Sequence, residues 1–228
     1  MAKVIVIGAG PAGIMAAIHA SKKHNVTILD GNDRIGKKLF ITGKGRCNVT
    51  NSKDISEFFD YIPGNPHFLY SALYSYTNED TMNFFENVGI KLKVERGGRV
   101  FPMSDKSSDI IKGLSIGLKE SNVQVKLNSK VTNIIYDANK IVGVEINNST
   151  KLYGDYFIIA TGGASYPLTG SRGEGQKFAK KLGHTIIELK PSLVPIELNE
   201  SWLKDLMTSL ILCLFDKKKK SIFIFLSQ

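Results

Sequence analysis

Cysteine is scarce in this 228-residue sequence: there are two, Cys47 and Cys213, far apart and in unlike settings. Two such residues make no disulfide framework, so a reducing compartment is expected, with the cytoplasm as the default. The opening Met1-Ala2-Lys3 runs straight into a strand pattern, without the charged and then apolar stretch of a signal peptide. Long hydrophobic runs are missing too. The apolar stretch at 210–215 is far too short to span a bilayer, so no membrane partner is expected. H-E-x-x-H, C-x-x-C and G-x-S-x-G are all absent, which leaves metal sites and serine hydrolysis without support. Of the four histidines, His19 and His24 fall in or just after the first helical pattern and His184 opens a strand pattern, all structural readings. His67, at a helix start, is open between structure and chemistry, and no side chain stands out as catalytic.

What remains is an ordinary globular composition, with 43% hydrophobic and 22% charged residues. The net charge of +9 raises the question of nucleic acid, but four of the charges form one run at 217–220 between two apolar stretches. That run reads as a solvated turn between strands, with a basic interaction patch as the alternative. The other basic residues are scattered, without the interleaved aromatics of a single-strand binder. A small-molecule partner is expected, not nucleic acid, and nothing fixes the oligomeric state. The 21 glycines cluster in a few short loops, the mark of backbone approaching a ligand.

Residues 3–7 form a continuous Val/Ile run, the pattern of a strand buried on both faces. An Ala-rich helix over 11–23 follows, with Pro11 suited to its first turn, and then a second buried strand at 26–29. Together they make a βαβ unit. The stretch 36–51 is glycine-rich and long enough to suspect a functional loop. Helices are predicted at 66–76, 78–87 and 108–120, with Gly113 and Gly117 weakening the last, and a strand pair at 91–94 and 99–101. From 123 the rhythm turns to strands, at 123–127, 131–136, 141–146 and 156–159, with Asp137-Ala138-Asn139 as a hairpin turn. A helix at 175–182 and further short strands come next, and 209–226 reads as a hairpin of two apolar strands. Only three parallel strands are placed, at Val4, Val26 and Phe157.

The first glycine cluster, Gly8-Ala9-Gly10-Pro11-Ala12-Gly13, is a G-x-G-x-x-G whose context gives it weight: a buried strand before it, a helix after it. Gly8 permits the tight turn, Gly10 lets backbone approach a pyrophosphate, and Gly13 lets the helix lie close to the sheet. The pyrophosphate then faces the unpaired N–H groups of the helix start. Asp30 closes the second strand, 17 residues past Gly13, where a carboxylate accepts from ribose hydroxyls and repels a 2′-phosphate. FAD or NAD is therefore expected over NADP.

Downstream stand Gly36-Lys37-Lys38 and Thr42-Gly43-Lys44-Gly45-Arg46-Cys47-Asn48-Val49-Thr50-Asn51. An acid, a short loop and a Gly-Lys-Lys step resemble what FAD enzymes of the glutathione-reductase-like fold place beside the diphosphate, and that resemblance selects FAD. A flavin–disulfide relay would need a second cysteine as C-x4-C, and Ser52 stands at that position. Cys47 is left either packing against the flavin or filling space. Ala160-Thr161-Gly162-Gly163 ends a strand with the A-T-G step typical of this fold. Gly170-Ser171-Arg172-Gly173-Glu174-Gly175 follows no buried strand, so it is not a second fingerprint. It resembles the T-G-D-G loop of succinate dehydrogenase and fumarate reductase flavoproteins, with Glu174 where Asp is usual.

Taken together these stretches, with Gly98-Arg99-Val100-Phe101-Pro102, resemble the aminoacetone-oxidase-type family of bacterial FAD enzymes, over residues 1–205. The resemblance implies an α/β fold: a Rossmann-like FAD-binding domain with an inserted β-rich domain. It implies an oxidoreductase acting on a small molecule, amines among them. The implied cofactor contacts are Gly8 to Gly13, Asp30, Gly36, Lys37, Lys38, Gly43, Arg46, Cys47, Asn48, Val131, Thr161, Gly162 and Gly163. Residues 1–190 are expected to be the FAD-binding domain and 191–228 the start of the inserted domain, with the chain stopping before the enzyme is complete. Three functions stay open at this point: a working FAD-dependent oxidoreductase, an inactive FAD-binding fragment, and an NAD-binding dehydrogenase.

Overall fold

A computed structural model describes residues 1–138, 140–189, 210–214 and 222–226, in two compact units, Met1–Thr185 and Ile186–Gln228. Chain order in the first unit begins β1 (Lys3–Ile7), α1 (Pro11–Ser21), β2 (Asn25–Leu29), β3 (Thr50–Asn51), α2 (Tyr70–Ser75), α3 (Asn78–Asn87) and β4 (Leu92–Glu95). It continues with β5 (Arg99–Pro102), α4 (Ser107–Glu120), β6 (Gln124–Lys126), β7 (Val131–Asp137), β8 (Lys140–Ile146), β9 (Thr150–Tyr153), β10 (Tyr156–Ile159) and α5 (Glu174–Lys181).

The organising sheet is parallel throughout, in the order β10-β1-β2-β6. The Val/Ile run of β1 has no polar face because both faces are covered. Val4 and Val6 pack with Ile14, Ala17 and Ile18 of α1 and Ile110 and Leu114 of α4. Ile5 and Ile7 pack on the other side against Val131, Ile134, Val144 and Ile146 of an antiparallel β7-β8-β9 meander. This is the Rossmann-like α/β fold that the sequence predicts. β3, β5 and β4 form a separate small antiparallel sheet.

Three local expectations change. The strand at 123–127 was grouped with the β-rich run, but its core, β6, pairs in parallel with β2, so the sheet has four parallel strands and not three. β6 is an edge strand, Gln-Val-Lys, with only Val125 turned to the core, and so lacks the apolar run that marks β1. The helix at 66–76 divides into a 3-10 turn, Pro66–Leu69, and α2. A three-residue turn stacks His67 on Tyr70, with ring centroids 5.3 Å apart and planes 11° apart, and Tyr70 in turn stacks on Phe59. No strand follows α5 through residue 189, so His184 opens none.

The remaining helices behave as their ends dictate. α3 starts on a capping box, Thr77 with Asp80. Gly113 and Gly117 of α4 trade helix propensity for contact: a Cβ at Gly113 would press on Ile90 and Phe85, and one at Gly117 on Phe84 and Ile18. The second unit contains β11 (Leu210–Leu214) paired antiparallel with β12 (Ile222–Leu226), the expected hairpin. The lysine run at 217–220 lies outside the described residues.

Candidate functional site

β1 ends at Ile7 and the chain turns at Gly8, whose φ of +111° excludes an ordinary side chain. A Cβ at Gly8 would overlap the Ala160 carbonyl, and one at Gly13 would overlap the Gly8 carbonyl. Gly10 differs, because nothing lies within 4 Å of the place its Cβ would take. Two of the three glycines are thus closed by the protein itself and one faces open space. Gly10 is also the N-cap of α1, which has no side-chain cap and no acid in its first turn. The helix start presents unpaired N–H groups and its positive dipole end to that space, as an anion requires.

Asp30 is bound into the same turn. Its Oδ2 accepts from the Ala9 N–H at 2.7 Å, and its Oδ1 accepts from the Asn32 N–H at 2.7 Å and the Asn32 side chain at 2.9 Å. The Asn32 amide also donates to the Thr169 carbonyl at 3.3 Å. The loop after β2 closes on the turn as well, through the Gly36 N–H donating to the Ala9 carbonyl at 2.9 Å. Lys38 reaches across to the Ser165 hydroxyl at 3.2 Å. Three sequence-distant loops therefore meet at the carboxyl end of the sheet, where open α/β folds bind ligands.

Between them lies a cleft of about 390 Å³, within the range of small-molecule sites. Of the expected contacts, Gly8, Ala9, Gly10, Pro11, Ala12, Asp30, Lys37, Lys38, Val131, Thr161 and Gly162 line it. Gly13 is buried beneath the turn, Gly36 packs on Ile111, and Gly163 lies beside the lining. Sequence reasoning missed Asn32, Lys130, Ser171 and Arg172, which also line the cleft. Their only signal was position, next to Asp30, to Val131 and within the second glycine cluster. Lys37, Lys38, Lys130 and Arg172 face two acids, Asp30 and Glu174, so the lining carries surplus positive charge that suits a diphosphate.

The loop around 42–48 is placed elsewhere: Gly43, Arg46, Cys47 and Asn48 are not in the cleft lining. Arg46 donates to Glu95 and, through Nε at 2.7 Å, to Asp105, and its guanidinium lies 4.2 Å from the Phe101 ring centre. Lys93 completes the group, 2.5 Å from Asp105. The Arg46 hydrogen bond holds Glu95 below the usual carboxylate range, and those of Lys93 and Arg46 do the same for Asp105. Cys47 is buried in the helix-side core, and burial pushes its thiol pKa up. The Asn48 amide sits 3.0 Å and 3.1 Å from the Thr50 and Val100 carbonyls, so its nitrogen faces them.

Among the described residues no cluster of His, Cys, Asp and Glu fits a metal ion, and no helix is long and apolar enough to cross a membrane.

Comparison with known proteins agrees with this geometry. The chain is 30% identical over 203 residues to a 3-dehydro-bile acid delta(4,6)-reductase of Clostridium scindens, covering 88% of this chain and 48% of that protein. It is 32% identical over 200 residues to a ribosomal RNA dihydrouridine synthase of Haemophilus influenzae, covering 86% and 49%. The chain thus spans about half the length of the curated relatives it matches. Among solved structures, the open conformation of a flavocytochrome c3 fumarate reductase shares the fold, with a TM-score of 0.57 and 22% identity over 79% of this chain and 40% of the other. Residues 2–210 match the HI0933-like protein Rossmann domain. The chain belongs to that family of FAD-binding Rossmann flavoproteins.

Proposed function

We propose that the chain is the FAD-holding part of an oxidoreductase that reduces a carbon–carbon double bond conjugated to a carbonyl group. One observation carries the cofactor's place: the open face at Gly10, on an uncapped helix start, within a cleft of surplus positive charge. In this reading the diphosphate lies against the N–H groups of the turn and Lys37 or Lys38, Asp30 holds the adenosine ribose, and Val131 and Thr161 to Gly163 flank the nucleotide. Gly43, Arg46 and Asn48 belong to the flavin end. Residues 1–190 form the FAD domain and 191–228 begin the inserted β-rich domain.

The reaction class rests on what the two curated relatives are named for. A delta(4,6)-reductase of a 3-dehydro bile acid and an enzyme that makes dihydrouridine both saturate a double bond beside a carbonyl. Reduced FAD supplies the hydride for such a step. The chain's own residues bind and orient, and none of them needs to be a nucleophile. A small enone is the favoured substrate. The ribosomal RNA relative favours a second reading, a uracil ring within RNA. Oxidation of an amine, implied by the motif resemblance, is the third arm of the test.

The test is anaerobic. Photoreduced protein is mixed in turn with a steroidal enone, a uridine-containing ribosomal RNA fragment and, in the oxidised state, aminoacetone. Return of the flavin absorbance with an enone or uridine supports double-bond reduction. Bleaching by the amine with no response to either alkene would overturn it. Nucleotide binding without any yellow colour would restore the NAD alternative.

A further inference from the structure

Ser171 lies in the second glycine cluster, between Gly170 (φ +98°) and the start of α5, and is 8% exposed. It lines the cleft. Its neighbours' donors are turned inward: the Thr169 hydroxyl donates to the Tyr166 carbonyl at 2.7 Å, and Arg172 Nε to the Pro167 carbonyl at 3.3 Å. The Ser171 hydroxyl, by contrast, donates no hydrogen bond to any of the described residues. Its oxygen stands 3.3 Å from where a Cβ on Gly162 would sit, the one neighbour that position has within 4 Å. Hydroxyl and bare glycine face thus share one wall of the cleft, a few residues along the chain from the Ala160 carbonyl that closes Gly8.

A buried O–H without an acceptor is costly, and buried polar groups are almost always paired. Here the missing partner must come from the cleft. It must accept and need not donate, which describes a phosphate oxygen better than a ribose hydroxyl or an adenine edge. We propose that Ser171 is a cofactor-binding residue that donates its hydroxyl hydrogen to a phosphate oxygen of the ADP moiety of FAD. The proposal rests on the cleft being the FAD site. It gives the second glycine cluster a function distinct from a fingerprint: its positive-φ glycines bend the chain so that one serine reaches the nucleotide from the wall facing the α1 turn.

Ser171→Ala tests it on the 228-residue chain, with FAD and ADP titrated separately and the melting temperature of the nucleotide-free protein measured. Both dissociation constants should rise together by about tenfold or more, the loss typical of a hydrogen bond to a charged group. The nucleotide-free melting temperature should hold or rise, because the substitution removes an unsatisfied donor. An unchanged affinity for FAD and ADP, with a lowered melting temperature, would make Ser171 structural and overturn the proposal. Weakened FAD with unchanged ADP would move the contact to the flavin half and also overturn it. Wild-type protein that binds neither nucleotide would defeat the reading of the cleft itself, a result distinct from failure of Ser171 alone.

Discussion

The Ala9 N–H donates to the Asp30 carboxylate at 2.7 Å, so the acid that ends β2 is part of the glycine turn as well as a wall of the cleft. The contact ties the second strand of the sheet to the loop that follows the first. It also sets Asn32, which donates twice to the other carboxylate oxygen. An ionised carboxylate has about four lone-pair sites, so one acid can hold the turn, hold Asn32 and still accept from a ribose hydroxyl.

Asp30→Ala removes all of these at once. FAD affinity should fall by about 1.5–3 kcal/mol, the range for hydrogen bonds to a charged group, and the nucleotide-free protein should melt earlier because the Ala9 N–H loses its acceptor. Asp30→Asn separates the two effects, keeping one acceptor oxygen while removing the charge. A fluorescence titration showing an unchanged dissociation constant in Asp30→Ala would remove Asp30 from the site.

The fingerprint glycines should divide by phenotype. Gly10→Val meets no protein atom and sits at an extended φ of −78°, so the fold should persist while the side chain takes the diphosphate's space. Gly13→Val instead overlaps the Gly8 carbonyl and should destabilise the fold itself. Circular dichroism melts with flavin absorbance of the purified variants read both. A Gly10→Val protein that kept a full flavin spectrum would place the diphosphate elsewhere.

The sequence made the turn legible because strand, glycine spacing and acid are all local. β1, α3 and β10 were equally plain, since apolar runs and capping residues act within a few positions. What could not be read depends on tertiary neighbours. β6 looks like any short polar strand until β2 recruits it. Lys130 and Ser171 reach the cleft only because the β7-β8-β9 meander and α5 bring them there. Arg46 belongs to a motif-bearing loop, yet its partners Glu95 and Asp105 are about fifty and sixty residues away, beyond any pattern along the chain.

Those partners predict a pH dependence. Glu95 and Asp105 have folded-state pKa values held below their ordinary range, so the stability they contribute is present above that range. It is lost as pH falls through the depressed values. Arg46→Met removes a cation from both carboxylates and leaves Lys93. The variant should melt earlier than wild type at neutral pH, and the gap should narrow on acidification as the carboxylates protonate. Melting curves that stay parallel down the acid limb would show that Arg46 acts through its packing on Phe101 and not through charge.

Cys47 gives the sharpest contrast between a structural and a redox thiol. It is 2% exposed, packed with the helix-side core, and burial raises its pKa, so the neutral thiol prevails near neutral pH. Thiol reagents should label it slowly in native protein and quickly in denaturant, measured in a Cys213→Ser background so that only one thiol reports. Cys47→Ser should keep FAD binding and most turnover, while losing about 1–2 kcal/mol of stability from a hydroxyl placed in an apolar pocket. Because the folded-state pKa is raised, the fold favours the protonated thiol. Its contribution to stability is complete below the ordinary thiol range and declines as pH rises through the shifted value. The wild-type protein should therefore lose stability at alkaline pH relative to Cys47→Ser, which has no group titrating there. Loss of turnover in Cys47→Ser with flavin still bound would overturn the structural assignment and make Cys47 a participant in the chemistry.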